Sequence, residues 1–268
     1  MEWNGEHYAD HTAHHRAFDH VLLERLEPLA PHGRILDIGC GVGNFTAGLV
    51  DRVPAGSVVG VDADASMVAT AQANHYGHSQ LFFQVTPAQD LVALASLGPF
   101  AAIVSTACLH WVPEVDHSSV LQAAHDLLEP GGQWCVEFGG RGQVDGLRKT
   151  LDPLAIEFGG GPPRWFFPDV ATYSRLLADA GFVDADVKLV TQTRSIEDAA
   201  ALRGLLTSQV LFAYLPDIDD ARHDEFIQAA GDAVIDSVQT SPGTSPGTDP
   251  ANYDVEYVRI VATARKPQ

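Results

Sequence analysis

Arg34-Ile35-Leu36-Asp37-Ile38-Gly39-Cys40-Gly41-Val42-Gly43-Asn44-Phe45-Thr46 decides how the rest of the chain is read: an apolar run with one carboxylate, three alternating glycines, then helix-forming sequence. It predicts a strand, a tight turn and a helix. Ile35, Leu36 and Ile38 have the apolar, β-branched character of a buried parallel strand, and a helical pattern resumes over 44–50. Gly39, Gly41 and Gly43 can take positive φ and carry no side chain, so a ligand can lie against the backbone at the helix N-terminus. That seat suits a nucleotide-sized ligand; taken alone, the motif also fits an ordinary strand-to-helix turn. A dinucleotide fingerprint, Gly-x-Gly-x-x-Gly, would place its third glycine at position 44, where this chain has Asn44. The spacing argues against NAD.

Working outward, Ser57-Val-Val-Gly-Val-Asp62 is a second apolar strand ending in a carboxylate, 23 residues beyond Gly39. That position suits a side chain accepting hydrogen bonds from ribose hydroxyls. Asp64 and Ser66 are better placed than Asp62 to cap the helix that follows, in which Met67 packs in the core or touches a base. Residues 81–85 form a third strand, followed by Thr86-Pro-Ala-Gln-Asp-Leu91. Residues 100–106 form a fourth, and Ala107-Cys-Leu-His-Trp-Val-Pro113 lies at its carboxyl end, where open parallel sheets bind ligands. His110 and Trp111 are therefore candidates for the reaction centre, with a core pair as the bland alternative. His117, among serines and acids, reads as exposed.

A helix over 120–128 is stopped by Glu129-Pro-Gly-Gly132, and a fifth strand covers 133–138. Residues 139–168, rich in Gly, Pro and aromatics, read as a long irregular segment, and loops of that length are usually functional or disordered. A helix over 169–180 leads to a strand at 186–194, and the final strand covers 254–263. Between these two strands, 196–215 and 219–238 have helical periodicity, and Ser-Pro-Gly-Thr occurs twice over 241–248 as turn-forming sequence.

Composition narrows the function. At 268 residues and 46% hydrophobic content the chain can bury a full core, and no apolar run approaches the roughly 20 residues that span a bilayer. Sixteen basic residues against thirty-five acidic ones give a formal charge of −19, which repels nucleic acid and anionic membranes. A cytoplasmic monomer or homodimer acting on a small molecule is the expectation. Only three of the basic residues are lysines, so the balance also fits a high-salt or high-GC source. Cys40, Cys108 and Cys135 lack metal-ligand spacing and read as packed thiols. Residues 1–30 look helical, with His7, His11, His14, His15 and His20 on a solvated face; imidazoles at i, i+4 lack an evident third ligand, so no metal is expected.

Together, Asp37/Gly39/Gly41/Gly43, Asp62, the Leu-His-Trp-Val-Pro run and the Leu128-Glu-Pro-Gly-Gly132 turn resemble the class I S-adenosylmethionine (SAM)-dependent methyltransferases, over roughly residues 33–193 and 254–265. Within that class, the Leu-His-Trp-Val-Pro run and the late helical insertion are most like the trans-aconitate and juvenile-hormone-acid small-molecule methyltransferases. The resemblance implies an α/β fold: a Rossmann-like seven-stranded sheet with the last strand antiparallel, flanked by helices and carrying a helical cap. It divides the chain into an N-terminal helical lid, 1–32, and a SAM-binding domain, 33–268, with cap insertions at 139–168 and 195–250. It puts Gly39, Gly41 and Gly43 under the methionine part of SAM, with Asp37 directed toward its ammonium. Asp62 would hold the ribose, Ala63 and Met67 would flank adenine, Ala88 and Gln89 would edge it, and the Thr106 carbonyl would lie near the sulfonium. Pro87 stands where the family often has an aspartate near the adenine amino group.

The implied reaction is methyl transfer to a small molecule, with O-methylation of a carboxylate as the first reading. A carboxylate is ionised at neutral pH and needs no base, only an anion anchor. Arg141 and Arg164 are candidates for that anchor, with Tyr8 and Trp165 as further acceptor contacts, although Arg148, Lys149, Arg194 and Arg203 lie in or near the same segments and each could be a solvated surface partner. An N-, C- or phenolic O-methyltransferase would use His110 as base. A non-catalytic SAM-binding module and a nicotinamide dehydrogenase are the readings from other classes.

Overall fold

The computed structural model describes residues 22–239 and 253–268. Tyr8, the five N-terminal histidines and the doubled Ser-Pro-Gly-Thr lie outside that set.

Alternation within β1 (Arg34–Ile38) shows how the sheet is covered: Ile35 faces one apolar layer while Leu36 and Ile38 face the other. β2 (Ser57–Asp62) and β4 (Phe100–Thr106) divide in the same way, with Val58, Ala102 and Val104 on the Ile35 side and Val59, Val61 and Ile103 opposite. Leu22, Leu26 and Leu49 complete the first layer. Residues 22–25 are helical, and Leu22 packs in this layer. α3 (His117–Leu127) and α5 (Val170–Asp179) bury Leu121, Leu127, Tyr173 and Leu177 in the second layer. A strand buried on both faces needs helices on both, and the sheet obtains them.

The seven strands run in the order β3-β2-β1-β4-β5-β7-β6, where β3 is Leu81–Val85, β5 Leu128–Gly139, β6 Val183–Ile196 and β7 Tyr253–Arg265. β1 pairs parallel with β2 and β4, β4 pairs parallel with β5, and β7 is antiparallel to β5. Strand order reverses direction between β1 and β4, which opens a crevice at their carboxyl ends. α1 (Asn44–Gly48) leaves the glycine turn, and α2 (Ala65–Asn74) is capped by Asp64, which accepts from the Ser66 and Met67 amides.

Several boundaries differ from the sequence reading. Residues 139–168 are not irregular throughout, because α4 (Asp145–Glu157) buries Leu147, Leu151 and Ala155 at four-residue spacing. β5 starts earlier than expected: Phe100 pairs with Leu128 and Ala102 with Gln133, so Glu129–Gly132 bulges out of the strand instead of preceding it. β6 and β7 are each longer at both ends than their apolar runs suggested.

The chain separates into two compact units, one drawn from residues up to Arg141, Trp165–Val190 and Arg259–Gln268, the other from Gly142–Arg164 and Thr191–Val258. In the second unit, α4 packs on α7 (His223–Gln239), and Tyr214 Oη donates to Asp152 Oδ1 at 2.7 Å. α6 (Ala199–Leu205) continues into a π turn over Leu206–Val210. No described helix is long and apolar enough to cross a membrane.

Candidate active site

The glycine turn is forced by its surroundings. Gly39, Gly41 and Gly43 have φ of 78°, 52° and 84°, in the left-handed region that favours glycine. A Cβ on Gly39 would lie 2.3 Å from Cys108 Cβ, so the chain after β4 presses directly on the loop after β1. Ala107 permits that approach with a φ of 51°, a bend that few non-glycine residues adopt, and its amide donates to the Glu137 carbonyl at 2.8 Å.

Between these loops lies a cavity of about 380 Å³, within the range of small-ligand sites. Of the residues picked out by sequence, it brings together Gly39, Gly41, Asp62, Ala63, Met67, Ala88, Gln89, Thr106 and Trp111. Asp62 Oδ2 accepts from the Gly41 amide and Oδ1 from the Asp64 amide, both at 2.9 Å, which locks the end of β2 to the glycine turn. Burial raises the Asp62 carboxyl above its ordinary range, opposed by those two amides. Met67 is buried and also lines the cavity. Gln89 Nε2 reaches Asp116 at 3.3 Å.

Other picks fall elsewhere. Asp37, expected to act on the ligand through the loop, is buried beneath it and accepts from Thr46 Oγ1 at 2.6 Å, which ties β1 to α1; it is not itself part of the cavity wall. Gly43 is also behind the wall, where a Cβ would meet Phe83 and His75. Arg141 holds Asp169 at 2.8 Å with its side chain 70% exposed, and Arg164, with 87% exposure, lies 3.6 Å from Asp217, both of them within the second unit. Both look like the solvated pairs that were the alternative reading. Sequence reasoning missed Thr86, Ala107 and Cys108, which line the cavity. All three directly follow carboxyl ends of strands, a signal that was available. The Cys108 and Cys40 thiols are pushed up by burial and neighbouring carboxylates, which makes both inert.

His110 is buried next to Trp111, which lines the cavity. Its Nδ1 accepts from the Gly139 amide at 3.4 Å, and its ring lies 5.2 Å from Trp111 and 5.8 Å from Phe167. Trp111 meets Trp165 edge to face at 5.6 Å. The segment carrying Trp165 and Phe167 is held by two backbone bonds, Phe166 N–H to the His110 carbonyl and Arg141 N–H to the Pro168 carbonyl.

His117 is not exposed as its neighbours suggested. It is 1% accessible, its ring packs on Phe166 at 4.4 Å, and Nε2 bonds the Leu109 carbonyl at 3.1 Å. Burial pushes it down to about 4. An unfolded chain takes up this proton near pH 6.5 while the folded one resists, so stability is present above that pH and is lost as pH falls toward 4. The loss should approach roughly 3 kcal/mol in urea titrations compared at pH 7 and pH 4, and His117→Gln should flatten that dependence.

A glycine-walled cavity with a strand-end carboxylate, at the switch point of a sheet whose seventh strand is antiparallel, defines a class I SAM-dependent methyltransferase. Residues 35–132 match the methyltransferase domain family. Two similar proteins are trans-aconitate 2-methyltransferases. That of Azoarcus sp. is 30% identical over 88% of this chain and 90% of its own, and that of Deinococcus radiodurans is 29% identical over 85% and 88%. The YcgJ protein of Bacillus subtilis superposes with a TM-score of 0.62 at 14% identity, over 95% of this chain and all of its own. Haemonchus contortus phosphoethanolamine N-methyltransferase 2, solved with S-adenosylhomocysteine, gives 0.55 at 16% identity, over 94% of this chain and 53% of its own. The chain belongs to the class I SAM-dependent small-molecule methyltransferases and is an enzyme that uses SAM.

Proposed function

We propose that this enzyme methylates a carboxylate oxygen of a small organic acid. The observation that carries the reading is the Gly139 amide donating to His110 Nδ1. A neutral imidazole whose Nδ1 accepts a hydrogen bond carries its proton on Nε2, so the ring offers a donor and not a base. A carboxylate acceptor is already ionised and needs only to be held, whereas a phenol or an ammonium group must lose a proton. The acid named for the two relatives points the same way.

SAM supplies, when bound, a methyl group on a positively charged sulfur. Gly39 and Gly41 are proposed to support its methionine part, Asp62 the ribose, Ala63 and Met67 the adenine faces, and Ala88 and Gln89 the adenine edge, with Gly43 shaping the turn from behind. The Thr106 carbonyl would face the sulfonium. His110 would fix the acceptor oxygen that does not attack, and Trp111 would exclude water from the cavity mouth.

The product decides the reading: an ester releases methanol in mild base, whereas an ether or N-methyl product does not. With the acid as acceptor, His110→Ala should lower kcat/KM about tenfold, the value of one hydrogen bond, and His110→Asn should recover part of it. The wild-type rate should be flat from pH 7 to 9. A rate that climbs with pH in the wild type and loses that slope in His110→Ala would make His110 a base.

A further inference from the structure

We infer that the enzyme is a homodimer in solution, its two copies meeting at the β3 edge of the sheet. The sequence sets that face apart. Residues 65–113 contain a single charged side chain, Asp90, where the chain's own frequency of 19% would place about nine. β4 accounts for the buried part of the run, and the rest supplies α2, β3 and the 3-10 helix Ala88–Leu94. These expose Ala69 and Ala73 on α2, Phe82 and Val85 on β3, and Val92 beyond it. Tyr76, in the turn between α2 and β3, is 94% exposed, and Phe82 is 55% exposed. All but one of the thirty-five acidic residues lie outside this run. Two bodies of formal charge −19 repel each other through faces that carry the charge, and an uncharged face lets them approach. The cores of protein–protein contacts are likewise depleted in charge and enriched in Tyr and Phe.

The two edges of the sheet are guarded differently. β6, at the far end of the strand order, carries Asp184, Asp186, Lys188 and Arg194, and Lys188 Nζ bonds Asp186 at 2.7 Å. Charges of this kind keep an edge strand from joining another chain. β3, Leu81-Phe-Phe-Gln-Val85, has none. Its ladder is partly closed all the same, because Gln72 Nε2 donates to the Phe83 carbonyl at 3.0 Å. The contact is therefore one of side chains and not a continued sheet. Tyr76, His78, Leu81, Phe82 and Gln84 line a groove of about 610 Å³. Arg34, which also lines it, is turned onto the Leu97 carbonyl at 2.7 Å. A protruding ring beside a groove is self-complementary: under a two-fold axis, Tyr76 of each copy enters the groove of the other.

Sedimentation velocity of the whole chain at micromolar concentrations should show a dimer whose share rises with protein concentration. It should also rise with salt, which screens the remaining repulsion between two acidic bodies. Tyr76→Glu and Phe82→Glu should each weaken association at least about thirtyfold, because a two-fold contact meets each substitution twice. Tyr76→Phe should keep most of the affinity. Val183→Glu puts the same charge on an exposed residue of the β6 edge and should leave the dimer unchanged. All four variants alter exposed side chains, and an intact melting shift with S-adenosylhomocysteine separates loss of association from loss of fold. A monomer at every concentration and salt overturns the inference. So does a dimer that either the Tyr76 or the Phe82 glutamate leaves intact, or one that Val183→Glu breaks as well.

Discussion

Gly39→Ala is expected to abolish SAM binding within any practical concentration and to lower the melting temperature as well. Two costs coincide at this position. The backbone φ of 78° places an L side chain in the left-handed region, at about 1–2 kcal/mol. The new methyl group would also sit 2.3 Å from Cys108 Cβ and 2.4 Å from its Sγ. A Cβ cannot rotate away, so the chain after β4 must retreat, carrying Ala107, Cys108 and Trp111 out of the cavity wall. Gly39 also donates its amide to the Val61 carbonyl at 2.8 Å, which resists movement on the other side. Calorimetric titration with S-adenosylhomocysteine should show at least about a hundredfold loss of affinity, nearly 3 kcal/mol. Gly39→Ala combined with Cys108→Gly removes the collision but not the backbone cost, so it should regain part of the melting temperature and part of the affinity. Affinity within threefold of wild type in the single variant would show that the loop is soft and that the packing described is not what shapes the cavity.

What could be read from the sequence was local. The apolar run before Gly39, the glycines suited to positive φ and the 23-residue interval to Asp62 lie close together in the chain, and they pointed to the fold class and to several residues that line the cavity. The failures involve partners distant in the chain. His117 lies between acidic and hydroxyl residues, and only Phe166, nearly fifty positions later, shows that its ring turns inward. Arg141 and Arg164 were legible as cations, but their carboxylate partners Asp169 and Asp217 were not. α4 was hidden by composition: glycines crowd both of its flanks, Pro162 and Pro163 follow it and Pro153 lies inside it, masking the Leu147/Leu151/Ala155 spacing. His110 was singled out by its place after the fourth strand, but the amide that its Nδ1 accepts from, on Gly139, is one that no local pattern reveals.

The Glu137–Arg259 pair should give the largest stability effect of any single substitution at the site end of the sheet. Glu137 is fully buried and Arg259 is 3% exposed; Nη2 reaches Oε2 at 3.0 Å while Nε bonds Oε1. Glu137→Ala strands a guanidinium in the interior, at an expected cost of about 3–5 kcal/mol in urea denaturation. Removing both charges together, as Glu137→Leu with Arg259→Met, should cost much less, because the desolvation of both ions is recovered when the pair is replaced by apolar side chains of similar volume. The two outcomes separate stability from function. Glu137 faces Thr106 across the β4–β5 ladder, its carbonyl holds the Ala107 amide, and Gly139, two residues on, donates to His110. If the pair also fixes the end of β5, the double variant should be nearly as stable as wild type yet slower in kcat, with its affinity for S-adenosylhomocysteine kept. A double variant with wild-type turnover would confine the pair to folding, and a Glu137→Ala variant as stable as wild type would mean that the buried charge is compensated by groups other than Glu137.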